Sequence, residues 1–196
     1  AEPLFRSKSS SVFKNYFEKF YCDIFFPYLK EHKIDTVIQS GDLFDDRKIT
    51  NIYGFSECKK YFFDLLKENN IQLYSILGNH DIFYKNTLSV NSPDLLLSDY
   101  DNISIINEPT EIIDLDMLMV PWMCQDNMEH CLNHINNSHM SYCLGHFEIK
   151  SFSMYKGIEN KEGLESNIFK NYKYVFSGHF HHKSNKGNIH YLGTPY

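Results

Sequence analysis

In the stretch Ile76-Leu77-Gly78-Asn79-His80-Asp81, an apolar run with the character of a buried strand ends at a glycine, and an amide, an imidazole and a carboxylate follow. Glycine lets the backbone take a positive φ or approach a neighbour closely, so polar groups can leave the end of a rigid strand abruptly. The same design recurs. Thr36-Val37-Ile38-Gln39-Ser40-Gly41 leads into Asp42, Ser141-Tyr142-Cys143-Leu144-Gly145 into His146, and Tyr174-Val175-Phe176-Ser177-Gly178 into His179-Phe180-His181. A single glycine followed by a polar residue is an ordinary turn. A set in which the residue after each glycine is an oxygen or nitrogen metal donor points to a shared site at the strand ends.

Working outward, the rest of the chain supplies a scaffold for those ends. Helical spacing over Val12 to Leu29 puts Phe13, Phe17, Phe20, Ile24 and Tyr28 on one stripe, assigned to the core, with Pro27 bending the last turn. A second helix, over 51–68, shares a face of Phe55, Cys58, Phe62, Leu65 and Leu66. The polar segment from Tyr84 to Pro93 reads as a surface loop beside the cluster. Strands are expected at 72–77, 103–106, 111–115, 117–121, 142–144, 173–176 and 189–192, with short helices over 127–135 and 164–172 and an irregular stretch before Asn160. His130 and His134 stand one helical turn apart, but no Glu follows the first, so they read as a solvated face. The alternation of helices and strands predicts one α/β domain over 1–196, a layered arrangement of mixed sheets whose site lies at the carboxyl ends of strands.

Composition narrows the functional classes. The chain has 196 residues, 42% hydrophobic and 16% aromatic, enough for a sizeable core and too apolar for disorder. A formal charge of −6 gives no global attraction to polyanions, so a nucleic-acid substrate would need local lysines, bound metal or a partner. Basic residues near the expected mouth are Arg6, Lys8, Arg47, Lys48, Lys85 and Lys183. The five cysteines are odd in number and lack a Cys-x-x-Cys pair, which suits free thiols in a reducing cytosol. With no apolar run of membrane-spanning length and no signal peptide, the reading is cytoplasmic, in a bacterium or a phage-infected host.

Asp, Asn and His without thiolate suit hard or borderline divalent cations, with Mn²⁺ or Fe²⁺ favoured over Ca²⁺. Asp42, Asn79, His146, His179 and His181 exceed the needs of one tetrahedral ion, so two ions are expected, bridged by a carboxylate and suited to hydrolysis of a phosphate ester. His80 stands between two ligand-like neighbours and is better placed to face substrate as a general acid, oriented by Asp45 or Asp81.

Taken together, Gly41-Asp42-Leu43-Phe44-Asp45, Gly78-Asn79-His80-Asp81, Gly145-His146 and Gly178-His179-Phe180-His181 resemble the calcineurin-like metallophosphoesterase signature in order and spacing. Pro121-Trp122, Gly145-His146-Phe147-Glu148 and Gly193-Thr194-Pro195-Tyr196 further resemble the SbcD-type DNA exonuclease subunit, particularly its phage forms. The resemblance implies a sandwich of mixed β-sheets flanked by helices. It also implies that Asp42 bridges two metals, that Asn79, His146 and His179 hold one, and that His181 helps hold the other. His80 would sit at the scissile phosphate with Asp45 behind it. The family works with Mn²⁺, with Mg²⁺, Fe²⁺ or Zn²⁺ as alternatives, as a 3′-to-5′ double-strand exonuclease and single-strand endonuclease in DNA repair or recombination. Its partner is an SbcC-type, SMC-like ATPase, and a homodimer is compatible with it. Two departures stand out. The family's opening Asp-x-His has no counterpart, Glu2-Pro3-Leu4-Phe5 standing in its place, and the chain ends at Tyr196 before the family's further strands. It therefore reads as a core fragment truncated at both ends, with Glu2 as a candidate substitute ligand. A phosphomonoesterase or cyclic-nucleotide phosphodiesterase of the same fold, and a metal-poor module docking an ATPase, are the competing readings.

Overall fold

Period-two alternation along the strands sorts their side chains into two apolar layers. The structure, a computed structural model, describes residues 11–44, 46–47, 52–155 and 158–194. Strands β1 (Thr36–Gln39), β2 (Gln72–Ile76) and β3 (Ile103–Ile106) form a parallel three-stranded sheet in the order β1-β2-β3. The second sheet contains β4 (Thr110–Ile112), β5 (Met117–Val120), β6 (Tyr142–Gly145), β9 (Tyr174–Ser177), β10 (Ser184–Lys186) and β11 (Ile189–Tyr191), in the order β10-β11-β9-β6-β5-β4. Its central strands β5, β6, β9 and β11 run parallel, and the edge strands β4 and β10 pair antiparallel. A hairpin of β7 (Ser153–Tyr155) and β8 (Ile158–Glu159) stands apart from both sheets.

Inner faces meet through Ile76, Ile106, Met117, Met119 and Leu144, with Ile38, Tyr74, Tyr142 and Phe176 packed around them. The outer face of the three-stranded sheet, with Leu73, Val37 and Ile105, packs on the aromatic helices. The outer face of the larger sheet, with Leu118, Val120, Cys143, Val175 and Ile189, packs on α6 (Met128–Asn137) and the 3-10 turn Ser166–Phe169 through Cys131, Ile135 and Phe169. The layers are thus helix, sheet, sheet, helix. Each fully buried apolar side chain in them stabilises by roughly 1.5–3 kcal/mol. Parallel pairing is what gathers the carboxyl ends of β1, β2, β6 and β9, and the backbone of Trp122 after β5 ties the two sheets there by donating to Leu77 O at 2.7 Å.

Several sequence expectations are corrected. The first helix is interrupted: α1 (Ser11–Lys19) passes through a π-helical segment, Phe20–Phe25, into α2 (Phe26–Glu31), and Phe26 N–H bonds to Tyr21 O, five residues back. A π segment widens the turn and rotates everything after it. Phe17 is buried as expected, but Tyr21, Phe26 and Leu29 then take the inner face, leaving Ile24 60% and Tyr28 53% exposed. The side chain of Phe13 lies outside the described residues. The second helix repeats the device as α3 (Ile52–Cys58), π segment Lys59–Phe63 and α4 (Asp64–Glu68), with Asp64 N–H bonding to Lys59 O. Cys58, Phe62 and Leu66 are buried as expected, and the wider turn adds Tyr61 and Phe63. The two π segments pack together, the Tyr21 ring centroid lying 4.7 Å from that of Phe62.

The expected surface loop to Pro93 ends in a helix, α5 (Ser92–Leu97), whose cap Asn91 accepts from Asp94 N–H at 2.8 Å. The strand expected to Leu115 stops at Ile112, where a 3-10 turn leads to Asp116 at φ +50°. The expected helix over 164–172 is only a 3-10 turn, the irregular stretch contains the β7-β8 hairpin, and the polar edge strand β10 was not anticipated.

Candidate metal centre

Each ligand-bearing turn is held by polar groups that leave its donor little freedom. After β1, the Gln39 amide clamps Gly41 from both sides, accepting from its N–H at 2.9 Å and donating to its carbonyl at 2.7 Å. Gly41 has φ +91°, and a Cβ there would lie 2.3 Å from His146 Nδ1, so only glycine lets the two loops nest. Asp42 follows at φ +56°, a conformation that costs a non-glycine residue energy and persists because its surroundings impose it. Its Oδ1 accepts from His80 N–H at 2.7 Å. After β2, a Cβ on Gly78 would lie 2.2 Å from Asp42 N and Oδ1. Buried Asp81 joins the two turns, Oδ1 accepting from Phe44 N–H at 3.0 Å and Oδ2 from Gly78 N–H at 2.8 Å. Burial, then the charge of Asp42, push the Asp81 carboxyl up to about 7.

On the larger sheet, Ser177 Oγ accepts from Phe147 N–H at 3.0 Å, and Tyr191 OH donates to Phe147 O at 2.9 Å while accepting from Ile149 N–H at 3.1 Å. These bonds fix the loop that carries His146. His146 is wholly buried, and its Nδ1 faces Ser40 O at 2.8 Å. A carbonyl only accepts, so Nδ1 carries a proton and Nε2 is directed into the site.

What Nε2 meets there is a crowd of donor atoms. Asp42 Oδ2 lies at 3.1 Å, Asn79 Oδ1 at 3.1 Å and His179 Nδ1 at 3.2 Å, and His179 Nδ1 is 3.0 Å from Asn79 Oδ1. One proton on Nε2 satisfies one of these contacts, whereas a divalent cation satisfies all of them. The separations also match neighbouring ligands around an ion with bonds of roughly 2.0–2.2 Å, whose edges are roughly 3 Å. The donor set of one carboxylate, one amide oxygen and two imidazoles therefore fits a hard or borderline divalent ion. Burial, then His146, push His179 down to about 3, keeping its ring neutral and available as a ligand. Burial alone would raise Asp42, but His146 by charge and hydrogen bond, with the His80 N–H, holds its carboxyl well below the usual range. His179 sits at φ +71°, a second strained backbone among the converging donors.

The comparisons with known proteins agree with this geometry. The calcineurin-like phosphoesterase family matches residues 10–183. The chain belongs to that family. This phosphoesterase is also 40% identical over 172 residues to "Exonuclease subunit 1" of Enterobacteria phage T4. The match covers 86% of the chain and 50% of that relative, so the chain spans about half the relative's length.

Of the residues singled out from sequence, Asp42, Asn79, His146 and His179 converge on one point of the phosphoesterase. His181 lies two residues beyond His179 with its side chain at the surface, its carbonyl accepting from Thr194 N–H at 3.1 Å, and its ring is not among the converging donors. His80 is exposed beside Asn79, at the mouth of the site. Asp45 and Glu2 lie outside the described residues, as do Arg6, Lys8 and Lys48. His130 is exposed, with its ring 4.4 Å from that of His134 on α6. All five cysteines are free, and burial pushes the Cys58 and Cys131 thiols up to about 12, so neither is a ready thiolate ligand. No helix among the described residues is long and apolar enough to cross a membrane.

Sequence reasoning missed the bracing residues Gln39, Ser177 and Tyr191, and gave Asp81 no more than an orienting role. A signal existed for two of them: Gln39 and Ser177 are polar residues in otherwise apolar strands, immediately before the ligand turns. Trp122 also borders the site, its ring centroid lying 5.1 Å from that of His179 and 5.9 Å from that of His146.

Proposed function

We propose that this phosphoesterase is the hydrolytic core of a DNA-degrading nuclease of the SbcD type, using two divalent ions, Mn²⁺ ahead of Mg²⁺, Fe²⁺ or Zn²⁺. The observation that carries the proposal is the convergence of Asp42, Asn79, His146 and His179 on one buried point, with separations of 3.0–3.2 Å between neighbouring donors. A nucleic-acid substrate is supported by the name of the phage relative, an exonuclease subunit, and by Arg47, Lys85 and Lys183, which stand on the same strand-end loops as the converging donors.

In this reading Asn79, His146 and His179 would hold one ion, Asp42 would be shared between the two, and His181 would contribute to the second. When bound, divalent ions polarise the phosphoryl group and supply a nucleophile at neutral pH. The chain's own residues do the rest. His80, whose backbone is tied to Asp42, presents its ring at the mouth and protonates the leaving oxygen, with Asp45 orienting it. The buried carboxylate and imidazoles keep their geometry without reorganising, because every ligand turn is braced from behind. Cleavage runs 3′ to 5′ on duplex ends and internally on single strands, in complex with an SbcC-type ATPase that clamps DNA.

The experiment compares turnover of a linear duplex with turnover of a small chromogenic phosphate ester in the presence of Mn²⁺. Duplex degradation that far exceeds ester hydrolysis is expected. The reverse ranking would make the chain a phosphomonoesterase or cyclic-nucleotide phosphodiesterase, and a chain that binds little metal and turns over neither substrate on added Mn²⁺ would be a docking module. His80→Ala is expected to lose cleavage with Mn²⁺ binding retained, and loss of the metal too would make His80 a ligand.

A further inference from the structure

A cleft of about 270 Å³ opens beside the metal donors, bounded by Trp122, Met128, His146, Phe147, Glu148 and Leu164. His146 belongs to both places: its Nε2 faces the donor cluster, and its ring walls the cleft. The His146 side chain has no exposed surface and so stands between the two, but Trp122 also borders both, its ring centroid 5.1 Å from that of His179, so a ring seated on Trp122 lies close to the donor cluster. The walls are apolar and aromatic apart from Glu148, whose half-buried carboxylate accepts from Asn160 Nδ2 at 3.4 Å. Trp122 is half-buried and Met128 is 36% exposed, so both leave part of their apolar surface open at the rim. The volume falls below the roughly 300 Å³ floor of sites that enclose drug-sized ligands. That size suits one flat ring, not a base pair.

We propose that this cleft is a nucleobase subsite: it takes the unpaired terminal base of the strand being cut, stacked on Trp122 with its exocyclic amine donating to Glu148. The proposal rests on the nuclease reading for its connection to a strand, and three observations choose the occupant. The cleft adjoins phosphate-directed donors, so a ligand must carry a phosphate within a short reach of a ring. Aromatic faces hold nucleobases with little regard to sequence. A carboxylate on an apolar wall rewards an amine donor, as on cytosine or adenine, over the carbonyl that thymine shows at the same position. Trp122 and Glu148 then act as specificity residues, and a duplex end must fray by one base to be processed.

Trp122 is the sole tryptophan, so its emission reports the cleft directly. The full chain with Mn²⁺ is titrated with dAMP, dCMP, dTMP and 2-deoxyribose 5-phosphate. Saturable quenching by dAMP and dCMP is expected, at Kd values roughly 10-fold or more below that of the baseless sugar phosphate. Trp122→Ala, followed by calorimetry because it lacks the reporter, is expected to bind dAMP no better than the sugar phosphate, while Trp122→Phe retains most of the difference. Glu148→Gln is expected to abolish the preference for dCMP over dTMP. Equal affinity of the wild-type chain for dAMP and the sugar phosphate overturns the subsite. The two readings fail separately: base-dependent binding without DNA degradation sinks the nuclease reading alone, and DNA degradation with base-independent binding sinks the subsite alone.

Discussion

At the turns after β1, β2, β6 and β9, regular structure stops at a glycine and is held by a few hydrogen bonds to buried polar atoms. In the two long helices it slips instead, at Phe20–Phe25 and Lys59–Phe63, and is held by aromatic rings packed against one another. The difference lies in how the geometry is stored. A turn braced through Gln39 or Asp81 depends on particular atoms, so one substitution releases it without touching the core. A π segment held by Tyr21, Tyr61 and Phe62 depends on bulk, so its stability is shared among rings and only the register tells where it is.

The largest effect is expected on the turn side. His146→Ala removes a donor that lies 3.1–3.2 Å from three others and also empties the space against Gly41. Outer partners of metal ligands cost 10–100-fold in affinity when lost, so loss of a ligand itself is expected to weaken Mn²⁺ binding by more than about 100-fold. Calorimetric titration with Mn²⁺ measures it. A variant that binds normally would show that the crowding of donors is ordinary hydrogen bonding and would erase the distinction between turns and helices. Tyr21→Ala is the counterpart on the helix side. With Tyr21 only 3% exposed and ringed by Phe17, Phe25, Tyr61 and Phe62, truncation is expected to cost about 3–5 kcal/mol in urea unfolding. Metal affinity is expected to stay unchanged, since the described ring contacts of Tyr21 are with Phe17, Phe20, Phe25, Tyr61 and Phe62 on the helices themselves.

Asp81→Asn sharpens the contrast from the opposite direction. Asn replaces one acceptor oxygen by an amide that faces a backbone N–H, leaving a buried donor from Phe44 or Gly78 unmet, at about 1–3 kcal/mol. At roughly 2–4 °C of Tm per kcal/mol for a domain of this size, a fall of several degrees is expected in a thermal scan. Mn²⁺ at about 100 times its Kd adds roughly 2.7 kcal/mol to the wild-type chain. The same addition should rescue Asp81→Asn, whose ligands remain, and leave His146→Ala where it was.

How far the sequence was legible follows the same division. Asp42, Asn79, His146 and His179 could be read before any coordinates because each follows a glycine at the end of an apolar run, a pattern local enough to see in six residues. The central sheet strands were legible too, since alternation and β-branched residues are local signals, whereas the polar edge strand β10 carries neither. The role of Asp81 was not fully visible because its partners, Phe44 and Gly78, include one 37 residues away. His181, assigned to a second ion, lies exposed two residues beyond His179 and outside the cluster that Asp42, His146 and His179 form.

The helices show where local reading fails outright. Phe13, Phe17, Phe20, Ile24 and Tyr28 satisfy regular helical spacing, and so do Phe17, Tyr21 and Phe25, so periodicity alone offers two faces. The wider turn settles the choice by bringing Tyr21 and Phe26 inward and turning Ile24 to 60% exposure. Ile24→Ala discriminates between them with the smallest effect of the set. On an uninterrupted helix with the stripe inward, losing a buried isoleucine costs about 2–5 kcal/mol. On the π-shifted helix the side chain is mostly in water, and the change is expected to stay within about 0.5 kcal/mol in the same urea titration used for Tyr21→Ala. A large loss at Ile24 with a small one at Tyr21 would return the helix to its unbroken register, and the two π segments would then have no reason to face each other.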